Sequence, residues 1–223
     1  MGSSYEKTDR TRVRTRASRG NYDREVVHAI LDEALICHLG FVVDDQPYVI
    51  PTIHARDGEV LYLHGSPASR MLNALAEGVR CCVTATLVDE LVLARSSKQH
   101  SLNYRSAVVL GTAREVSDPA EKASALRAVV DHIAPGRSAE VRGPDEDELE
   151  TTQVLALPIE EASAKVREGP PAEKSGDRDL PAWAGRLPIR VGPGDAIAAD
   201  HVPAGLELPG YLRDWPARGP GSA

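Results

Sequence analysis

The sequence predicts a mainly β protein, a β-barrel of hairpin-linked antiparallel strands with helices flanking it. Three observations predict this fold. Five or six short segments rich in apolar and β-branched residues follow one another, with turn residues between them. Helical patterns interrupt these segments at few points, so the strand–helix alternation of a doubly wound sheet is missing. The 223 residues, 42% of them hydrophobic, suffice for one large domain with a buried core.

The first elements are a helix followed by three strands. Apolar residues at helical spacing predict a helix over 21–35, which Asn21 or Asp23 can cap. Strands are predicted over 38–43, 47–54 and 59–64. Asp57 and Gly58 join the last two strands, because glycine tolerates the positive φ that a tight hairpin needs. This part of the chain therefore predicts an antiparallel meander.

A short helix, further strands and a long helix complete the predicted barrel. The short helix is expected over 67–77, with Ser66 as its N-cap and Pro67 at its first position. Further strands are predicted over 79–88, 91–95, 104–116 and 152–166. Asp118 and Glu121 have the spacing of a capping box, which opens the long helix.

Charge and composition divide the chain into three segments. Residues 1–20 form a basic N-terminal arm, although the whole chain has a net charge of -7. Residues 21–167 hold the barrel. Residues 168–223 form an extension rich in Pro and Gly that carries both tryptophans, and we expect it to pack on the barrel or on a dimer partner. The negative net charge argues against nucleic acid as a partner.

The three cysteines exclude a disulfide framework and predict a cytoplasmic protein. The chain has no apolar run of the roughly 18 residues that a membrane span needs, and its N-terminus lacks an apolar signal core, so no membrane partner is expected. The seven histidines show no metal-ligand spacing, so no metal site is predicted.

The stretch that begins at His64 is the most informative for function. A strand ends at His64, Gly65 allows a close turn, and two serines and an arginine follow. Hydroxyl groups, a guanidinium and free backbone N–H groups together indicate a phosphate site formed by Ser66, Ser69 and Arg70. The alternative is a well-capped structural helix with a surface arginine. Likewise, His64 is either a proton-transfer group or a structural histidine.

A second polar run, over 97–106, comes just before an apolar strand. Polar groups at the entrance of a strand can line the mouth of a pocket. The alternative is an ordinary polar loop, and the residues alone do not distinguish the two.

Seven stretches, in this order, resemble the pyridoxamine 5'-phosphate oxidase-like flavin-binding proteins. The most similar branch is the flavin-nucleotide-binding group that includes the nitroimidazole-resistance proteins. The stretches are HLGFV (38–42), PYVIPT (47–52), LYLHGSPASRM (61–71), LVLARS (91–96), HSLNYRSAVVLG (100–111), KVREGPP (165–171) and WAGRLP (183–188). The resemblance implies an FMN-binding split β-barrel of the six-stranded antiparallel Greek-key type. It also implies a homodimer with FMN in the cleft between the subunits.

The resemblance further implies roles for individual residues. The cofactor-binding set is Val49, Ile50, Pro51, Thr52, His64, Gly65, Ser66, Ser69, Arg70, Asn103, Arg105, Ser106 and Trp183. Within this set, the strand over 49–52 would run along the isoalloxazine ring, and Ser69 with Arg70 would hold the phosphate. His64 and Tyr104 are the candidate catalytic residues, because a histidine at the matching position is associated with the active site in the nitroimidazole-resistance branch.

The chain departs from true pyridoxamine-phosphate oxidases. Their basic segment on the second strand is replaced by YVIPT, and their C-terminal arginine pattern is not evident, so oxidation of vitamin B6 is not expected. The predicted function is an FMN-dependent oxidoreductase acting on a small conjugated or nitroaromatic-type substrate. The alternatives are a non-catalytic flavin- or haem-binding protein of the same fold, a deazaflavin in place of FMN, and a decayed site that leaves other chemistry or a scaffold.

Overall fold

The computed structural model describes residues 3–203 and 205–215. The remaining parts of the predicted arm and extension (1–2, 204 and 216–223) lie outside the described residues. The strands are β1 (Gly20–Asn21), β2 (Cys37–Val43), β3 (Gln46–Thr52), β4 (His54–Asp57), β5 (Val60–Gly65), β6 (Arg80–Leu93), β7 (Ser101–Thr112), β8 (Arg114–Glu115), β9 (Gln153–Pro158), β10 (Glu161–Arg167) and β11 (Gly185–Pro188). The α-helices are α1 (Arg24–Glu33), α2 (Arg70–Ala76), α3 (Pro119–Ile133), α4 (Glu146–Thr151) and α5 (Gly210–Arg213).

The strands form two antiparallel sheets. The larger has the order β1-β10-β7-β6-β2-β3, with β11 added to β6, and the smaller has the order β4-β5-β9-β8. Their inner faces enclose one hydrophobic core, together with α1 and α2. The mainly β, split-barrel prediction is therefore confirmed. Among the described residues, no helix combines the length and hydropathy needed to cross a bilayer.

Two segments predicted as single strands are each divided between the sheets. The segment 47–54 forms β3 in the larger sheet and, after Ile53, β4 in the smaller one. The segment 152–166 is divided in the same way into β9 and β10. A strand that changes sheets keeps its apolar pattern through the change, so the pattern alone cannot show the division.

The opposite difference occurs in β6. The segments predicted over 79–88 and 91–95 form one strand, whose register against β7 shifts between Val88 and Glu90. This irregularity is a β-bulge at the pair Asp89-Glu90. Two acidic residues between apolar segments are typical of a connection between two strands, whereas here they bend one continuous strand.

Helix α2 begins three residues later than predicted, and Ser69 caps it instead of Ser66. The Ser69 hydroxyl accepts a hydrogen bond from the backbone N–H of Leu72 at 3.4 Å. Ser66 closes the preceding turn, because its carbonyl accepts from the N–H of Ser69 and its hydroxyl accepts from the N–H of Ala68. Two serines three residues apart are both good caps, and packing of the apolar face of α2 selects the second.

Helix α1 begins at Arg24 rather than at residue 21, and Asp23, one of its two predicted caps, caps it. Asp118 caps α3 as predicted, but Glu121 does not complete the predicted capping box, because its carboxylate accepts from Arg114 and Tyr62. The C-terminal extension, predicted as irregular, contains β11 and α5. It docks on its own domain, since the Trp215 indole N–H donates to the carbonyl of Ile133 at 3.0 Å.

The N-terminal arm also packs on the barrel. Tyr5 is buried, and its hydroxyl donates to the carboxylate of Glu59 at 2.8 Å. Arg10 pairs with Glu161 at 2.6 Å. The described part of the arm is thus held by contacts with acidic side chains of the barrel.

Candidate flavin cleft

Strand β3 is an edge of the larger sheet, and β2 is its only strand neighbour among the described residues. A two-residue turn, Asp44-Asp45, joins the two strands with φ of 50° and 61°. In such a hairpin the residues that flank the turn, Val43 and Gln46, exchange both backbone hydrogen bonds. Because hydrogen-bonded and non-hydrogen-bonded pairs alternate, the peptide groups at positions 47, 49 and 51 point away from β2.

The free edge of β3 therefore has a defined pattern of donors and acceptors. Pro47 and Pro51 have no N–H, so Val49 is the only backbone donor at these three positions. The carbonyl of Pro47 already accepts from the side chain of Gln46 at 2.9 Å. One donor and the carbonyls of Val49 and Pro51 remain for a ligand that lies along this edge.

Arg70 stands beside this edge at the start of α2. Its guanidinium carbon lies 5.1 Å from the centre of the Tyr48 ring, a cation–π contact, and Tyr48 itself stacks on Phe41 with 5.4 Å between ring centres. Arg70 is exposed and pairs with none of the carboxylates among the described residues. The structure thus brings an unneutralised cation next to the predicted ring-binding strand. Because α2 has only seven residues, an anion bound here would be held more by side chains than by the helix dipole.

His64 ends β5, half-buried, on the face of the smaller sheet that also carries Tyr62 and Val154. Its Nδ1 is buried and has no hydrogen-bond partner among the described residues, and burial lowers the pKa of its imidazole. The neutral form of the ring therefore predominates at pH 7. After it, Gly65 allows α2 to approach, since a Cβ there would lie 3.1 Å from the Leu72 side chain.

Another buried polar atom without a hydrogen-bond partner among the described residues lies on β9, the strand paired with β5. Gln153 on β9 pairs with Gly65, and its side-chain oxygen is buried without a partner among the described residues. No sequence pattern singled out this residue, because a single Gln at the start of a strand is common. Its position depends on the pairing of β5 with β9, which lie about ninety residues apart.

The predicted polar run on β7 is split by strand alternation. Asn103 and Arg105 lie on the same face as the core residue Ala107, whereas Tyr104 and Ser106 lie on the opposite face. Arg105 is held by two carboxylates, Glu33 at 2.5 Å and Asp89 at 2.8 Å, and these contacts raise its pKa. Its charge is neutralised within the chain, so Arg105 links α1 to the bulge of β6. A cofactor contact by Arg105 stays a prediction.

Asn103 is also engaged within the chain. Its side-chain amide donates to Glu90 and to the carbonyl of Gly169, and its oxygen accepts from Arg167. In contrast, Trp183 is 66% exposed. Its indole lies over Gly185, where a Cβ would come within 2.9 Å of the ring. Trp183 therefore presents an apolar surface next to β11.

The outer face of the larger sheet, turned away from the core, is largely apolar. Register places on it His38, Val42, Pro47, Val49, Pro51, Cys82, Thr84, Thr86, Val88, Tyr104, Ser106, Val108 and Leu110. Three of its valines, Val42, Val49 and Val88, are 51%, 64% and 40% exposed. Such a surface is typical of a site where another molecule binds.

One chain does not bring all predicted site residues together. β7 is separated from β3 by β6 and β2, a distance of about 14 Å at the usual strand spacing. Tyr104 and Ser106 therefore cannot border the same ring as the free edge of β3 within a single chain. The residues that do come together are those of β3 and the start of α2.

Comparison with known proteins identifies the family. The family model of pyridoxamine 5'-phosphate oxidase matches residues 23–166, well over half of the chain. The chain belongs to the pyridoxamine 5'-phosphate oxidase family. Membership confirms the family resemblance on which the sequence-based site prediction rests. No curated protein matches this sequence.

Two solved structures resemble this family member over nearly their whole length. The flavocytochrome Anf3 from Azotobacter vinelandii is 38% identical, covers 92% of this chain and 96% of its own, and superposes with a TM-score of 0.84. The FAD and haem binding protein from Mycobacterium smegmatis is 36% identical, with 87% and 96% coverage and a TM-score of 0.83. A Bacteroides thetaiotaomicron protein named for 5-nitroimidazole antibiotic resistance shares the fold at 23% identity, with 66% and 86% coverage and a TM-score of 0.57.

Proposed function

We propose that this chain is a flavin-dependent redox protein that holds its flavin in a cleft between two copies of the chain. The observation that carries the proposal is the similarity, at 38% and 36% identity over most of this chain, to a flavocytochrome and to an FAD and haem binding protein. The proposed activity is that of an oxidoreductase, and small conjugated acceptors, nitroaromatic compounds among them, are the substrates to test.

The residues at the β3 edge fit a flavin nucleotide. One edge of an isoalloxazine ring carries both donors and acceptors, which the N–H of Val49 and the carbonyls of Val49 and Pro51 can pair. Arg70, exposed and without a carboxylate partner, fits the anionic phosphate, because charge-assisted hydrogen bonds to phosphate are strong. The hydroxyl of Ser66 lies in the turn just before it.

A bound flavin supplies electron transfer, in steps of one or two electrons, while the protein supplies binding, orientation and proton control. The backbone of Val49 would orient the ring, and Arg70 would neutralise the phosphate. His64 has a neutral imidazole in a half-buried place, so it can accept a proton or donate one. Tyr104 would act on the same ring from the second copy of the chain.

The second copy is proposed from the geometry of the sheet. Tyr104 and Ser106 lie on the outer face, which also leaves apolar side chains in contact with water. If two outer faces pack together, β7 of one copy can approach the β3 edge of the other. The homodimer would thereby complete a cleft that one chain leaves open.

Haem is a second candidate ligand, because one of the two similar proteins is named for binding it and the other is named a flavocytochrome. Haem iron requires an axial ligand, often an imidazole nitrogen. His100 fits this chemistry, since its Nδ1 is 3.1 Å from the carbonyl of Ser96, which leaves Nε2 open on an exposed ring. A backbone carbonyl on the other ring nitrogen is the usual arrangement of a metal-ligating histidine. In His28 and His132, by comparison, Nε2 is hydrogen-bonded within the chain.

The test begins with the visible spectrum of the untreated purified protein and the mass of the released cofactor, which distinguishes FMN from FAD and detects haem. NAD(P)H-driven turnover with several acceptors then separates an oxidoreductase from a non-catalytic carrier. Colourless protein that takes up neither FMN nor FAD would contradict the proposal.

Arg70→Ala tests the phosphate contact. Loss of a charge-assisted contact of about 1.5–3 kcal/mol should weaken flavin binding roughly 10- to 100-fold in a titration of the apo-protein. Arg127→Ala is the matched control, because Arg127 is also exposed but lies on α3. Equal flavin affinity in Arg70→Ala and in the unmodified protein would show that Arg70 does not hold the phosphate.

A further inference from the structure

A group of cations lies where β1, β10 and β7 meet. We call it the β10 cation cluster, and it consists of Arg19, Lys165 and Arg167. Lys165 pairs in register with Gly20, the residue after Arg19, and Arg19 is close enough to Arg167 for its charge to lower the pKa of that guanidinium. None of the three forms an ion pair with a carboxylate among the described residues.

Two hydroxyl groups face the same part of the sheet. On β7, Ser106 pairs with Lys165, and Tyr104 pairs with Arg167, so register places these positions on the outer face, while the guanidinium of Arg167 turns towards Asn103. The Ser106 hydroxyl donates only a long bond, 3.4 Å, to the carbonyl of Lys165. Both hydroxyls can therefore turn to another acceptor.

Arg167 is the buried member of the cluster, with 8% of its surface exposed. One of its terminal nitrogens donates to the carbonyl of Leu102 at 2.9 Å and to the side-chain oxygen of Asn103 at 2.5 Å, both neutral acceptors. The other side-chain nitrogens of Arg167 are not fully buried, so they remain accessible to a ligand. Burial and the neighbouring charge of Arg19 lower its pKa. A bound anion would compensate these two cations.

The spacing of the cluster indicates the class of anion. Lys165 and Arg167 are two residues apart on one strand, about 7 Å, and Arg19, the last residue of the 3-10 helix just before β1, adds a third cation. Two linked phosphoryl groups match this spread better than one carboxylate does. Within one chain the cluster is also distinct from Arg70, because β10 lies four strand positions from β3, about 19 Å.

We propose that the β10 cation cluster binds the diphosphate group of a dinucleotide. The inference rests on the proposed function, since a flavin redox protein meets two such groups, one in FAD and one in a nicotinamide electron donor. In the proposed dimer the cluster shares the outer face with Tyr104, so it would lie beside the cleft rather than away from it.

The test uses the double variant Arg19→Ala/Lys165→Ala, which leaves the buried Arg167 in place. Arg19→Lys/Lys165→Arg keeps both charges, and Arg127→Ala/Arg142→Ala removes two exposed charges elsewhere. Inorganic pyrophosphate is titrated calorimetrically at low salt into each protein. We expect the affinity to fall at least tenfold in the alanine double variant only, and to weaken with added salt in the unmodified protein.

Titrations with FMN, FAD and NADH identify the source of the diphosphate. A loss of FAD affinity with unchanged FMN affinity assigns it to the flavin. Unchanged affinity for both flavins, with weaker NADH binding to the flavin-loaded protein, assigns it to the donor. If pyrophosphate, FAD and NADH bind the double variant as well as the unmodified protein, or if the distant control shows the same losses, the inference is wrong. That result would leave the proposed function intact, which fails only if the unmodified protein binds neither flavin.

Discussion

At the scale of single residues, His64 has a buried ring nitrogen, Nδ1, without a partner among the described residues, near the end of β5. Desolvation favours the neutral ring, and no described group nearby compensates by pairing with the charged form. A neutral imidazole at pH 7 is the form that can accept a proton. The same burial has a consequence for stability that can be measured without knowing the substrate.

His64 should make the fold less stable in mild acid. The pKa of this ring in the folded protein is below the value of 6.5 expected in the unfolded chain, so below about pH 6.5 the unfolded chain binds a proton that folded His64 does not. Stability is therefore lost as the pH falls through 6.5, and the loss is complete below the folded pKa. In urea unfolding at pH 7.5 and pH 5.0, His64→Gln should lose less stability on acidification than the unmodified protein.

The control for this measurement is His201→Gln, which changes an exposed histidine of the C-terminal extension. It should follow the unmodified protein at both pH values. An identical pH dependence in His64→Gln and the unmodified protein would count against a desolvated His64.

Parts of the candidate site could be predicted from sequence to different degrees, and the reason is separation along the chain. The strand-to-helix turn that carries Ser66, Ser69 and Arg70 was predicted because its signals are local, and binding by these residues stays a prediction. The carboxylates that neutralise Arg105 lie 72 and 16 residues away from it, so no local pattern could show that its charge is already paired. The orphan oxygen of Gln153 was missed for the same reason.

At the scale of elements, the two sheets pack tightly against each other where β7 passes β9. Gly111 on β7 faces the core, and a Cβ there would lie 2.8 Å from a methyl carbon of Leu157, which is fully buried on β9. The absence of a side chain at this position lets the sheets close on each other. Element positions such as this one depend on the packing of two sheets, which no single segment reveals.

Gly111→Ala should destabilise the fold by about 1–3 kcal/mol, because Leu157 must move within a packed core. Chemical unfolding measures the change. Thr112→Ala, at the exposed neighbouring position, should have a much smaller effect. Adding Leu157→Val to Gly111→Ala should recover part of the loss, and a double variant no more stable than Gly111→Ala would contradict the proposed steric cause.

Element type was more predictable than element boundaries. Apolar period and turn residues identified helices and strands from 21 to 167, whereas the divisions of 47–54 and 152–166 follow from which sheet each half joins. Separate strands were predicted over 79–88 and 91–95, so the bulge that joins them in β6 was missed. Its reason becomes visible only when Asp89 is seen to pair with Arg105.

At the scale of the whole molecule, the outer face of the larger sheet is the surface through which two copies of the chain would pack to form the proposed cleft. Val108 lies near its middle, between Thr84 of β6 and Ser163 of β10. A carboxylate buried there would have no partner from the symmetry-related copy, so Val108→Asp should convert a dimer to a monomer. Size-exclusion chromatography with light scattering measures the mass, and the flavin content should fall as the dimer is lost.

Val141→Asp provides the matched control, because Val141 is exposed in the loop between α3 and α4. It should leave the mass and the flavin content unchanged. A monomeric unmodified protein that nevertheless carries a full complement of flavin would show that one chain is sufficient for binding.

The two prolines of β3 have a consequence before any cofactor is present. An open strand edge is a template on which other polypeptides can add, and an apo chain exposes it until its ligand arrives. With Pro47 and Pro51 at the outward-facing positions, an incoming strand would find a single N–H and could not continue the ladder. The same spacing that suits a short flat ring therefore protects the newly made protein from aggregating through this edge.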